Sequence, residues 1–165
     1  MDDQTQSDKV CCPKFDSARW DEKVFNWENK PFIKETIPTF FHMPLPSMIG
    51  SAITKMWKMV EDTKMVPADK ESVLILFSDP TAFRSEIHLS TTGAVPGANN
   101  VTMSGTFVAK VFDGGYNAIP KFIKQMDEYL TGKGQKAKGY YIHYAYCPGC
   151  AKKYGHNHMI LFAKV

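Results

Sequence analysis

Long apolar runs are missing from this sequence: no stretch approaches the ~18 residues that a membrane-spanning helix needs, and the first ten residues, MDDQTQSDKV, are acidic and polar. That start lacks the basic and apolar regions of a secretory signal, so the cytoplasm is the expected compartment and no membrane partner is expected. Charge of one sign is also scarce. Twenty Lys and Arg against 17 Asp and Glu leave a formal charge of only +3, and the lysines of TGKGQKAKG and CAKKYG read as solvated loops rather than a phosphate-binding stripe. Nucleic acid is therefore not an expected partner. Cysteine is sparse, four in 165 residues, which argues against a disulfide framework in a reducing compartment. No nucleophile elbow, HExxH helix or phosphate-binding loop is present, so the common hydrolase and nucleotide-binding signatures are excluded.

What is present is a duplication. Sliding the chain on itself by 70 residues superimposes two amphipathic helices. Ile49, Ala52, Ile53, Met56, Met59 and Val60 have the three-and-four spacing of a helix with one buried face, and Ile119, Phe122, Ile123, Met126, Tyr129 and Leu130 repeat it. Ser47 and Asn117 are the expected N-caps, and Gly132 or Gly134 the expected end of the second helix. Strand-like runs flank both helices. TIPTFFHMP falls on TFVAKVFDG ahead of them, while VLILFSD falls on HYAYCPG and EIHLSTT on HNHMILF behind them, with no insertion needed to hold the offset.

Each half thus reads strand, helix, strand, strand. The expected fold is α+β: two such modules with an antiparallel sheet and a central cleft between them. The expected division is an N-terminal arm over 1–35, a first module over 36–95 and a second over 96–165, forming one compact domain. A half of this size leaves a sheet face and edge that a second copy can cover, and ligand pockets favour such junctions.

The stretch VTMSGTFVAKVFDGGYNAIPKFIKQMDEYLTGKG, a strand ending in aromatic-x-Gly-x-Tyr before a helix, resembles the second half of the GyrI-like small-molecule-binding domains. FSDPTAFRSEIHLSTTGAVPGA resembles the strand, Asp-Pro turn and strand that close the first half. The N-terminal CCPKFD, together with the late CPGCAKKYG, resembles a bacterial subgroup of that family. The resemblance implies tandem modules around an aromatic-lined cleft. Its members include drug-sensing domains, a gyrase inhibitor, and stand-alone enzymes that hydrolyse cyclopropane-bearing compounds. With no helix-turn-helix segment in the sequence, a stand-alone binder of a small hydrophobic or cationic organic molecule is expected, or alternatively a hydrolase of reactive electrophiles. The buried glutamate that family members place near the start of the last strand is missing from YGHNHMIL.

The offset matches Glu86 with His156 and His88 with His158, which makes Glu86 and His158 the candidate catalytic groups. The candidate ligand-binding set adds Phe41, Trp57, His88, Phe112, Tyr116, Tyr141, His143 and Tyr144, an aromatic collection suited to stacking and cation–π contacts. Cys147 and Cys150 have metal-knuckle spacing. Cys12 is the expected third ligand, with Cys11 or His156 as alternatives and zinc as the candidate ion, although no cofactor is required. A redox dithiol, or plain packing of the arm against the hairpin, are the competing readings. CAKKYG looks too short for more than one helical turn. Ligand identity and oligomeric state are left open.

Overall fold

The computed structural model describes Cys12 and residues 14–165. Its elements are β1 (Lys23–Phe40), β2 (Met43–Pro44), α1 (Pro46–Asp62), β3 (Ile75–Thr81), β4 (Arg84–Ser90), β5 (Asn100–Asp113), α2 (Ile119–Gly132), β6 (Gly139–Tyr144), α3 (Pro148–Tyr154) and β7 (His158–Lys164). The sheet order is β2-β1-β4-β3-β6-β7-β5, and β1 also pairs with β5. That last pairing closes six antiparallel strands into a barrel, with β2 as a two-residue annex on β1. The architecture is the expected α+β one, built from two strand-helix-strand-strand modules.

Strand alternation divides the side chains into an inner and an outer set. Outward, Ile33, Ile37, Ile87 and Leu89 pack under α1, and Val108, Phe112, Leu161 and Ala163 pack under α2. Inward, Phe32, Leu74, Leu76, Phe107, Ile160 and Phe162 fill the barrel together with Trp20. The 18-residue β1 serves both modules because a bulge between Trp27 and Lys30 re-aims it. There Asn29 adopts a left-handed φ of 49° and its N–H donates to Ser104 Oγ at 2.8 Å.

The 70-residue offset holds through the helices and their C-termini. In α2, Gln135 N–H donates to the Leu130 carbonyl, with Gly134 at φ 70°; in α1, Met65 N–H donates to the Val60 carbonyl, with Lys64 at φ 56°. Both ends are Schellman-type caps, and Lys64 takes the left-handed position that glycine fills in the second copy. The expected N-caps do not form. Leu45 and Ala118 occupy those positions, and neither helix has a side-chain cap bond.

The offset fails in the second hairpin. α3 is inserted between β6 and β7 and runs seven residues, about two turns, where the sequence suggested no insertion and at most one turn. The leading strands also depart from it, because Ile37 packs under α1 whereas Phe107, 70 residues on, is inside the barrel. Glu86 lies within β4 whereas His156 precedes β7, so those two do not match. β1 begins at Lys23, inside the segment that the sequence assigned to an arm.

Candidate functional site

The polar groups on the inner barrel wall come mainly from β4. Because Ile87 and Leu89 face α1, the intervening Glu86 and His88 must face inward. The Glu86 carboxylate lies 3.6 Å from Lys34 Nζ and 3.8 Å from Arg84 Nη2, with 19% of its side chain exposed. His88 is buried and meets Phe32 and Tyr141 edge-on, at centroid distances of 6.2 and 6.1 Å. Burial pushes its pKa down to about 4, against the opposing pull of Glu86. It is therefore a neutral imidazole at pH 7. Its Nδ1 is buried with no hydrogen-bond partner among the described residues. Burial, reinforced by the charge of Glu86, raises the Tyr141 pKa, so the phenol keeps its proton and remains a donor. Glu86, His88 and Tyr141, with Lys34 and Arg84 beside them, thus supply an anionic proton acceptor, a neutral ring nitrogen and a phenolic donor.

Aromatic rings extend from this group toward an opening. Phe107 lies 6.0 Å from Tyr141, and Trp27 lies 4.4 Å from Phe107. Beyond Trp27 is a pocket of about 230 Å3 whose lining includes Trp20, Phe25, Trp27 and Leu74 with the cationic Arg19 and Lys30. Lys30 Nζ stands 5.6 Å from the Trp27 centroid and 6.0 Å from that of Phe32, and burial lowers its pKa. Phe25 and Trp27 are absent from the candidate set drawn from the sequence. The signal was their alternation, which continues in Lys30 and Phe32 once one extra residue is allowed for the bulge.

The remaining candidates lie elsewhere. Trp57 and Phe112 are in the outer layers under the helices. Tyr144 and Tyr116 touch each other at 5.2 Å, Tyr116 being exposed and Tyr144 packed in the layer under α2. Phe41 is exposed, against Phe40 and Phe83. His143 is pushed down to about 4 by burial, and its Nδ1 accepts from Ile75 N–H at 3.1 Å, bridging β6 to β3 where their pairing is reduced to Phe77 opposite Ile142. His158 is not grouped with Glu86. It packs against Phe15 at 5.3 Å, Tyr146 at 5.9 Å and His156 at 5.0 Å, and its Nδ1 too is buried without a hydrogen-bond partner among the described residues.

Two clusters at this end are positioned to hold a metal ion. Cys12, Cys147 and Cys150 bring their sulfurs within 4.8 Å of one another, and Asp113, His156 and His158 bring their ligand atoms within the same distance. Asp113 accepts from Asn157 N–H at 2.9 Å and pairs with His156 Nδ1 at 2.8 Å. These bonds hold its carboxyl below the usual range. His156, an alternative cysteine-site ligand on sequence grounds, thus belongs to the second cluster. Cys11 lies outside the described residues.

No helix among the described residues is long and apolar enough to cross a membrane. No curated protein matches the chain. Among solved structures it is similar to the crystal structure of a protein assigned to bacterial transcription regulation, from Staphylococcus aureus MU50. The match has 11% identity and a TM-score of 0.47, and covers 87% of this chain and 96% of that one. The model of the family described as bacterial hydrolase matches residues 1–165, the whole length that carries the barrel and both clusters, and the chain belongs to that family.

Proposed function

We propose that the protein is a small-molecule hydrolase that takes a planar, largely apolar electrophile against its aromatic wall and uses Glu86 to activate water. One observation carries the reading: a carboxylate sits on the inner face of an otherwise aromatic and aliphatic barrel, with a neutral histidine and a protonated tyrosine on the same wall. A carboxylate is a competent general base when it reaches the water that it deprotonates. Water would bond through oxygen to the electrophilic carbon while Glu86 accepts its proton. The bond broken in the substrate, a strained carbon–carbon bond in a cyclopropane of the kind the GyrI-like resemblance implies, leaves its electron pair on a conjugated carbonyl oxygen. Tyr141 and the unpartnered His88 nitrogen are suited to orient that oxygen or the water, and the proton is returned to it from Glu86. Trp20, Phe25 and Trp27 would hold the flat part of the molecule by stacking, and Lys30 favours an electron-rich or anionic edge there.

The second reading is binding without turnover, favoured by how completely Phe32, Phe107 and Phe162 fill the interior. One experiment separates the two. A panel of planar organic compounds, including a cyclopropane-fused dienone, is titrated by tryptophan fluorescence, and the products are weighed by mass spectrometry. Hydrolysis predicts a product heavier by one water and its loss in Glu86→Gln with quenching retained. Saturable quenching without product leaves binding alone, and full turnover by Glu86→Gln removes Glu86 from the chemistry.

A further inference from the structure

We propose that Cys12, Cys147 and Cys150 form a trithiolate site for a thiophilic divalent cation, with zinc as the expected occupant, which fastens the N-terminal segment to the start of α3. The site is independent of Glu86 and of the hydrolase reading.

The local sequence builds two of the three ligands. Cys147 occupies the N-cap of α3 in an extended conformation, φ −66° and ψ 161°, and Cys150 follows within the first turn, so both sulfurs face the same side of a tight turn. The third arrives from 135 positions away in sequence, with Cys12 Sγ accepting the Cys147 backbone N–H at 3.4 Å. This contact holds the Cys12 sulfur against the start of α3. Three sulfurs bound tetrahedrally at ~2.3 Å would stand about 3.8 Å apart. The three sulfurs lie within 4.8 Å of one another, so coordination requires a contraction of at most about 1 Å.

The surroundings suit a structural ion. Cys150 is 3% exposed, Cys12 half-buried and Cys147 exposed, so an ion can load from the solvent side and be held against a dry wall. That wall includes the stacked pair Tyr146 and Tyr154, with centroids 4.6 Å apart. Tyr154 Oη donates to the Cys12 carbonyl at 3.0 Å and Tyr146 Oη accepts Phe15 N–H at 2.8 Å, so the segment is anchored at Cys12 and again at Phe15. Three thiolates around a divalent cation leave one net negative charge, and α3 carries Lys152 and Lys153 in its last turn.

The test uses the full chain, purified without added metal and then, reduced, incubated with zinc chloride and desalted. Elemental analysis should give about one zinc per chain, as a trithiolate site of structural affinity retains its ion through desalting. Cys12→Ser and Cys147→Ser, both away from the driest part of the site, should each lower the retained zinc at least tenfold. His156→Ala should retain it, which separates this site from the Asp113, His156 and His158 cluster. In wild type, a mercurial should release the zinc as it consumes the three ligand thiolates, which it caps as mercaptides. Retention below about a tenth of an equivalent in reloaded wild type would overturn the proposal, as would retention by both cysteine variants. A Cys147–Cys150 disulfide in protein isolated anaerobically, seen as a loss of two mass units, would overturn it in favour of a redox pair.

Discussion

Gly114→Ala isolates one contact in the outer layer. A Cβ placed at Gly114 would lie 2.7 Å from Phe122 Cζ and 3.5 Å from the Ala118 Cβ, whereas carbon atoms at rest stand ~3.5–4.0 Å apart. Phe122 cannot yield freely, because its ring is stacked on Phe112 at 4.7 Å and 18°, and both rings are buried. Overpacking of this kind costs about 1–3 kcal/mol, and loss of the stacked geometry falls within that range. At ~2–4 °C per kcal/mol for a chain of this size, the melting temperature should fall by roughly 3–10 °C. The control is Gly50→Ala, in α1, where an added Cβ meets nothing within 4 Å. It should gain about 0.5–1 kcal/mol from helix propensity alone. Calorimetry and urea titration with unchanged m-values would measure both. Combining Gly114→Ala with Phe122→Leu should cost less than the sum of the two single changes, because the smaller side chain vacates the collision. A Gly114→Ala protein that melts at or above wild type, or strict additivity in the double variant, would refute the steric account of the aromatic-x-Gly-x-Tyr turn.

Lys64→Gly should raise the melting temperature by a few degrees, since relieving a left-handed non-glycine residue is worth about 1 kcal/mol before the entropy of the added glycine is subtracted; a fall would show that the Lys64 side chain makes a compensating contact. The folded pKa of His88, about 4, lies below its ordinary value, so the stability it contributes is complete above ~6.5 and is lost as pH falls toward 4, on the order of 3 kcal/mol. His143 acts in the same direction. Urea midpoints should therefore drop between pH 6.5 and 4.5, less steeply in His88→Leu, and a flat wild-type profile would contradict the buried neutral imidazoles. Phe162→Ala, at the centre of the barrel, should cost about 3–5 kcal/mol in urea unfolding, and a loss below 1 kcal/mol would mean that the interior collapses around the change.

The helices were legible because their spacing is local physics. Met56 with Met126 and Val60 with Leu130 sit 70 residues apart in sequence and at the same depth in their clusters. The hairpins were not, because strand-forming composition in HYAYCPG is silent about where a strand stops. Cys147 ends the extended run by capping α3, and the inserted helix carries β7 out of the offset. Alternation says that two residues share a face without saying which face, so Phe112 stood among the candidates until closure of the sheet defined an interior and left it outside. The cysteines were legible as a set because a knuckle spacing needs a further ligand from a distant segment. Lys34 and Arg84, which flank Glu86, left no sequence signal beyond their charge.

Closure of the barrel through β1–β5 and β5–β7 also fixes an order of events during synthesis. The first module can form its helix and its β1, β4 and β3 ladder as soon as Ser90 has emerged. Its outer edges, though, stay bare until β5 covers β1 and β6 meets β3, and the last gap, between β6 and β5, is filled only by β7. Contacts so distant in sequence form slowly, and exposed strand edges are where nascent chains associate wrongly. A chain in which β7 has not yet docked therefore presents open β5 and β6 edges, making β7 the strand on which escape from aggregation depends.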